Sequence, residues 1–135
     1  MKKLVSVLVA MVFLVCQTTS VGAYGDHDEG TMGYPNSITY KLDNSISANQ
    51  KAASATTWTS VPTGTDTYVS AHFLWKDPED FSSGSIYQAD GRAGAVTVSP
   101  PSLMGETKVY YCVSSYHSVA YNGGTYMNTL YTYIP

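Results

Sequence analysis

The sequence predicts an all-β protein, an antiparallel β-sandwich of about six to seven strands with a C-terminal hairpin. Several short segments are dense in Val, Thr and Tyr and alternate apolar with polar residues, which is the period of a half-buried strand. Turn signals such as Asp90-Gly91 and Asn122-Gly123-Gly124 separate these segments every dozen residues or so. No stretch after residue 23 sustains the 3.6-residue apolar period of a helix.

The N-terminal residues have the pattern of a secretory signal peptide. Lys2 and Lys3 precede an apolar run, and small residues around Ala23 suit a signal peptidase, so residues 1–23 are expected to be cleaved. A lipoprotein reading, with Cys16 acylated, fits less well because bulky residues precede that Cys. The apolar run is also too short for a stable membrane-spanning helix. We therefore expect a secreted, extracellular protein without membrane insertion after cleavage.

The segments after the leader are expected to form one domain. Residues 24–36 are acidic, Gly-rich and without apolar period, which predicts a flexible tail, and residues 37–135 then form the sandwich. The expected strands are Ser37–Asp43, Gln50–Ser60, Thr65–Lys76, Ser85–Ala89 and Ala93–Ser99, followed by a final hairpin from Thr107 onward. The two short segments would pair around the Asp90-Gly91-Arg92 turn signal.

The strand Thr65–Lys76 has the most regular alternation. Phe73 and Trp75 share one face of it and are predicted to be core residues. A Trp on this strand and Cys112 on a later one suggest an immunoglobulin-like or jelly-roll-like arrangement, although the second Cys of the immunoglobulin pattern is missing. This is an analogy of fold, and it implies no function.

The final hairpin allows two registers. A turn on Gly123-Gly124 places Tyr116 opposite Tyr131 and Val113 opposite Ile134, whereas a turn on Asn122-Gly123 shifts every pair by two residues. We expect the first register because it pairs more aromatic and β-branched side chains. The same alternation predicts Tyr111 in the core.

Composition and motifs exclude several function classes. Without the leader the chain has five basic and ten acidic residues, a net charge of −5, which disfavours nucleic acid and anionic lipid as partners. Cys112 is then the only Cys, so no intramolecular disulfide can form; it is expected to be a small buried side chain, or else to form an intermolecular disulfide. Cys112 and His117 are five residues apart on one strand, which places them on opposite faces, and no nucleophile-elbow motif is present. Neither catalysis nor a cofactor is predicted.

Two acidic clusters are candidate metal sites. Asp26-His27-Asp28-Glu29 and the loop with Asp77, Glu79 and Asp80 bring carboxylates together, but neither has the spacing of a calcium-binding loop. Solvated charges that keep a secreted protein soluble are the better interpretation. No metal site is predicted.

The twelve tyrosines are the one compositional excess, and seven of them lie in the final hairpin. Tyr combines a flat apolar ring with a polar tip, which suits recognition of sugars or proteins. Tyr116, Tyr131 and Tyr133 lie on one face of the hairpin and are the predicted binding residues.

The expected function is a secreted, non-enzymatic bacterial domain that binds an extracellular glycan or protein of the cell envelope. The alternatives are a bacteriocin-like antimicrobial or toxin-like effector and, as a third class, a small hydrolase or inhibitor. No feature of the sequence indicates an oligomeric state.

Overall fold

The computed structural model describes residues 23–135 and confirms the predicted β-sandwich. In this part of the chain eight strands form two antiparallel sheets of four, in the orders β1-β2-β3-β6 and β5-β4-β7-β8. The strands are β1 Tyr24–Met32, β2 Ile38–Ile46, β3 Ala53–Thr59, β4 Thr65–Lys76, β5 Ser83–Ala93, β6 Ala95–Val98, β7 Val109–Tyr121 and β8 Gly124–Tyr133. No helix within residues 23–135 could cross a membrane. The predicted signal peptide, apart from Ala23, lies outside the described residues.

Two groups of buried side chains fill the space between the sheets. The larger group includes Phe73, Tyr110 and Val113, and the smaller group includes Leu42 and Val119. Phe73 is fully buried, as predicted, while Trp75 is only partly buried at the margin of the larger group. Each inward side chain alternates with an outward one along its strand, which is the two-residue period of a packed sheet.

The predicted flexible tail was wrong for residues 24–32, which form strand β1 at the edge of the first sheet. Two of its inward positions, Asp26 and Asp28, are polar because they face hydrogen-bond donors, whereas the inward Met32 packs against the smaller core group. Asp28 accepts hydrogen bonds from the Tyr126 hydroxyl at 2.5 Å and from the Asn128 amide at 2.8 Å. Asp26 accepts the backbone N–H of Tyr131 at 3.1 Å. These bonds attach β1 to β8 of the other sheet and close one side of the sandwich.

The predicted hairpin around Asp90-Gly91-Arg92 was also wrong. All three residues lie within β5, which pairs only with β4, and β6 belongs to the other sheet. The chain changes sheets at Gly94, whose φ of 83° is open to glycine and unfavourable for other residues. A Cβ there would also lie 2.8 Å from the Cα of Pro62.

The final hairpin has the register that was not preferred. Its turn is Asn122-Gly123, and both residues have positive φ, 50° and 81°, as a type I′ turn requires. Tyr131 therefore lies opposite Ser114, and Val113 lies opposite Thr132. The turn geometry outweighs the better side-chain pairs. Because the registers differ by two residues, the side chains of β8, and those of β7 from Cys112 onward, keep their predicted faces.

A β-bulge in β7 reverses the predicted positions of two tyrosines. Leu74 pairs with Cys112 and Trp75 pairs with Tyr110, which leaves Tyr111 as the extra residue. Tyr110 is therefore buried in the core, with its hydroxyl donating to the Pro101 carbonyl at 2.6 Å. Tyr111, the predicted core residue, is half-buried outside.

Trp75 and Cys112, which an immunoglobulin-like arrangement would bring together, lie on opposite faces of the second sheet. Trp75 points toward the space between the sheets, and Cys112 points to the opposite side of its own sheet. Cys112 is a free, buried thiol.

Candidate functional site

The outer face of the second sheet carries most of the exposed aromatic side chains. Its outward side chains form four rows, each with one residue from β5, β4, β7 and β8 in that order. The rows are Ser85-Leu74-Cys112-Tyr133, Tyr87-His72-Ser114-Tyr131, Ala89-Ser70-Tyr116-Thr129 and Gly91-Tyr68-Ser118-Met127. We call these sixteen residues the tyrosine face. None of them is Asp, Glu, Lys or Arg. The face is thus an aromatic and hydroxyl-bearing surface without formal charge, and Lys76 and Asp66, the next outward residues of β4, lie at its two ends.

The outer face of the first sheet has a different character. His27 and Glu29 of β1 and Lys41 and Asp43 of β2 point outward there. The Nδ1 atom of His27 lies 2.5 Å from Oδ1 of Asp43, and this bond is the main reason why the pKa of His27 is raised. The outer face of the first sheet therefore carries charged side chains, whereas the sixteen residues of the tyrosine face include none.

The three tyrosines predicted from the sequence all lie on the tyrosine face. Tyr131 and Tyr133 are 61% and 54% exposed and are neighbours on β8, with ring centroids 6.4 Å apart and planes within 12° of parallel. Tyr116 is 37% exposed on β7 and packs edge-on against Tyr68 of β4 at 6.1 Å. The predicted pairing of Tyr116 with Tyr131 does not occur, because the register is shifted.

Contacts between side chains hold these rings in place. A hydrogen bond to Cys112 raises the pKa of Tyr131, and a hydrogen bond to Tyr87 raises the pKa of Tyr68. Phenols with a pKa of about 10 or above are protonated at neutral pH, so both can donate as well as accept hydrogen bonds. Tyr133 also contacts the ring of Tyr111 edge-on at 6.1 Å.

Three residues of the tyrosine face were not among the predicted binding residues. Tyr87 is 57% exposed and its ring lies 4.8 Å from the imidazole of His72. Tyr68 completes the group between β4 and β7. The alternation of Thr65–Lys76 already placed Tyr68 and His72 on one face, but nothing local indicates that β4 lies beside β7.

A second group of polar side chains is buried beneath the tyrosine face and joins the two sheets. His117 is fully buried between Thr57, whose Oγ1 lies 2.8 Å from Nδ1, and Ser115, whose Oγ lies 2.8 Å from Nε2. The Thr57 hydroxyl donates to the Tyr68 carbonyl, so it accepts from Nδ1–H. Nε2 then accepts from Ser115, whose oxygen in turn accepts from the amide of Asn44 at 3.2 Å.

This group resembles the parts of a nucleophilic site only in composition. Ser115 and His117 are 2% and 0% exposed, so no substrate can approach either side chain. Burial lowers the pKa of His117 to about 4, and the imidazole is neutral at physiological pH. The arrangement serves to satisfy buried polar atoms; none within residues 23–135 lacks a hydrogen-bond partner.

The two acidic clusters do not bring their ligands together. On β1, Asp26 and Asp28 point inward toward β8, while His27 and Glu29 point outward. In the loop after β4, Asp77 accepts hydrogen bonds from the Glu79 backbone and the Thr107 hydroxyl, and the latter is the main cause of its lowered pKa. In the part of the chain that the structure describes, no three His, Cys, Asp or Glu side chains are arranged to hold a metal ion.

No protein-family model, curated protein or solved structure matches this chain.

Proposed function

We propose that this chain is a secreted, non-enzymatic bacterial domain that binds an extracellular partner, a glycan or protein of the cell envelope, through the tyrosine face. The observation that carries the proposal is the contrast between the two sheets. One outer face has exposed charges such as Glu29, and the other has exposed tyrosines with charged side chains, Asp66 and Lys76, only at the two ends of β4. An exposed aromatic surface of this kind is costly to hydrate and is typical of binding sites.

The chemistry of the face suits a neutral, hydroxyl-rich or mixed partner. Exposed rings such as Tyr131 and Tyr133 offer apolar area, and their hydroxyls offer donors and acceptors at the same site. Ser114 and Thr129 lie between the rings and add further hydroxyl groups. Few rotatable bonds are immobilised when Tyr side chains bind, which limits the entropic cost.

The test is co-sedimentation of the protein with purified cell walls and with insoluble polysaccharide. The double variant Y131S/Y133S removes two of the most exposed rings of the face, and we expect it to bind about tenfold more weakly or worse. Y24S/Y34S is the matched control, because it removes two exposed tyrosines that lie outside the face. Equal binding by the two double variants would contradict the proposal. So would loss of folding in Y131S/Y133S, measured by circular dichroism, because the rings would then be needed for stability.

A further inference from the structure

The edge strands of the two sheets are protected to very different degrees. An exposed edge presents unpaired N–H and C=O groups that can pair with another chain, and proteins usually block it with charge, shortness or side-chain caps. β1 carries four consecutive charged or titratable residues, Asp26–Glu29, and β6 has only four residues. On β8, the N–H of Thr129 donates to the Asn128 side chain at 2.9 Å, and that of Tyr131 donates to Asp26.

Most of strand β5, from Ser83 to Ala89, has none of these protections. The strand is eleven residues long, and its segment Ser83–Ala89, S-G-S-I-Y-Q-A, has no charge, no proline and no bulge. Within residues 23–135, no backbone hydrogen bond connects the outer edge of this segment to another element. Charges begin where the segment ends: Asp90 caps the N–H of Gly91 at 2.9 Å and pairs with Arg92 at 3.2 Å.

The cap on Gly91 also shows which backbone groups point outward. Its N–H bonds Asp90 and not β4, so the odd-numbered residues of β5 direct their N–H and C=O groups away from the sheet. Ser85, Tyr87 and Ala89 belong to this set, and all three side chains are exposed.

We propose that two copies of this chain associate by antiparallel pairing of their β5 edges about a two-fold axis at Ile86. This axis is the centre of the uncharged segment, so Ser83 pairs with Ala89 of the second copy and Ser85 pairs with Tyr87. Four such pairs each exchange two backbone bonds, about eight in all. The Ile86 side chains of the two copies meet at the axis, on the inner side of the sheet.

The segment favours a second copy over an unrelated extended peptide. A two-fold contact requires a surface that is complementary to itself. This segment meets the requirement because three residues lie on each side of Ile86 and because pairing two copies brings no like charges together. The pairing joins the two four-stranded sheets into one of eight strands, with both tyrosine faces on the same side. The dimer would thus present a doubled surface to a repetitive partner.

The first test is the mass of the protein in solution, measured by light scattering on a sizing column from about 1 to 500 μM. We expect twice the monomer mass at the upper concentrations. S85K/A89K places two cations of each copy at the contact and should give a monomer at every concentration. T125K/T129K puts the same charges on the outer face of the opposite edge strand, β8, and should remain dimeric. A wild-type protein that is monomeric throughout, or a dimer that persists in S85K/A89K, overturns the proposal.

The second test fixes the register. In the proposed pairing Ser85 faces Tyr87 of the second copy, at the Cα separation of about 5.5 Å that a disulfide tolerates. A mixture of S85C and Y87C proteins should therefore form a disulfide-linked heterodimer under mild oxidation, and neither variant alone should crosslink. Efficient crosslinking of Y87C alone would move the axis to residue 87 and overturn the Ile86 register. No crosslinking in the mixture would overturn the pairing itself.

Discussion

Acid should destabilise this fold mainly through one buried side chain, His117. In the folded protein burial lowers its pKa from 6.5 to about 4. At pH 7 the imidazole is mostly neutral in both the folded and the unfolded chain, so its titration takes little from the free energy of unfolding. As the pH falls below 6.5 the unfolded chain binds a proton that the folded chain binds only near pH 4. The free energy of unfolding should therefore decrease by up to about 1.4 kcal/mol per pH unit, and by about 3 kcal/mol in total at pH 4.

The hydrogen bonds of His117 explain why the folded protein disfavours the charged form. A proton on Nε2 would face the Ser115 hydroxyl, which already accepts from Asn44 and would have to turn its own proton away. The nearby carboxylates Asp43 and Asp28 favour the charged form, but their effect is smaller than that of burial. The desolvation cost of the imidazolium therefore dominates.

Urea denaturation at several pH values between 7 and 4, followed by tryptophan fluorescence, measures this effect. The variant H117Q has no titratable ring, so its unfolding free energy should lose most of the pH dependence in this window, even if it is less stable at pH 7. H72Q, which removes an exposed imidazole, is the matched control and should keep the wild-type slope. Asp28 and Asp77 have lowered pKa values, so protonation of these carboxylates reduces stability mainly below pH 3.8. The raised pKa of His27 has the opposite effect, because the folded chain then binds the proton more tightly and gains stability as the pH falls. Equal slopes for wild type and H117Q would refute the reasoning.

Four further substitutions test the fold. Phe73→Ala should cost about 3–5 kcal/mol in chemical denaturation, and Trp75→Ala should cost less, because the indole is only partly buried; equal costs would contradict this. Asp28→Asn removes the carboxylate that accepts from Tyr126, so amide hydrogen exchange should become faster in β1 and remain unchanged in β4. Gly94→Ala should destabilise by more than about 1 kcal/mol, because φ is positive and the new Cβ meets Pro62, whereas a cost near zero would show that the crossover can adjust.

Local sequence patterns predicted the strands whose inward side chains pack against other apolar side chains. The alternation of β4 gave its observed bounds, Thr65–Lys76, and placed Phe73 in the core. The common face of Tyr116, Tyr131 and Tyr133 was also predictable, because it depends on the two-residue period and survives a register shift of two.

What depends on distant residues could not be predicted. Strand β1 looked like a tail because Asp26 and Asp28 are inward-facing, and their donors on β8 are about a hundred residues away in sequence. The bulge at Tyr111 is set by the pairing of β7 with β4 and has no local signal. Tyr68 and Tyr87 join the tyrosine face only because β4 and β5 lie beside β7, which is a property of sheet order.

The absence of charge on the tyrosine face leads to one prediction that separates it from the outer face of the first sheet. Attraction between charges is screened by salt, with a Debye length of about 10 Å at 0.1 M and 3 Å at 1 M. Contacts made by Tyr116, Tyr131 and Tyr133 depend on apolar area and neutral hydrogen bonds, which salt weakens little. The dissociation constant for a cell-wall or polysaccharide ligand should therefore change by less than about threefold between 0.05 and 0.5 M sodium chloride. The first sheet, with His27 and Glu29 exposed on its outer face, would bind a charged ligand with a steep dependence on salt. A steep loss of binding with salt would therefore assign the partner to that face and count against the tyrosine face.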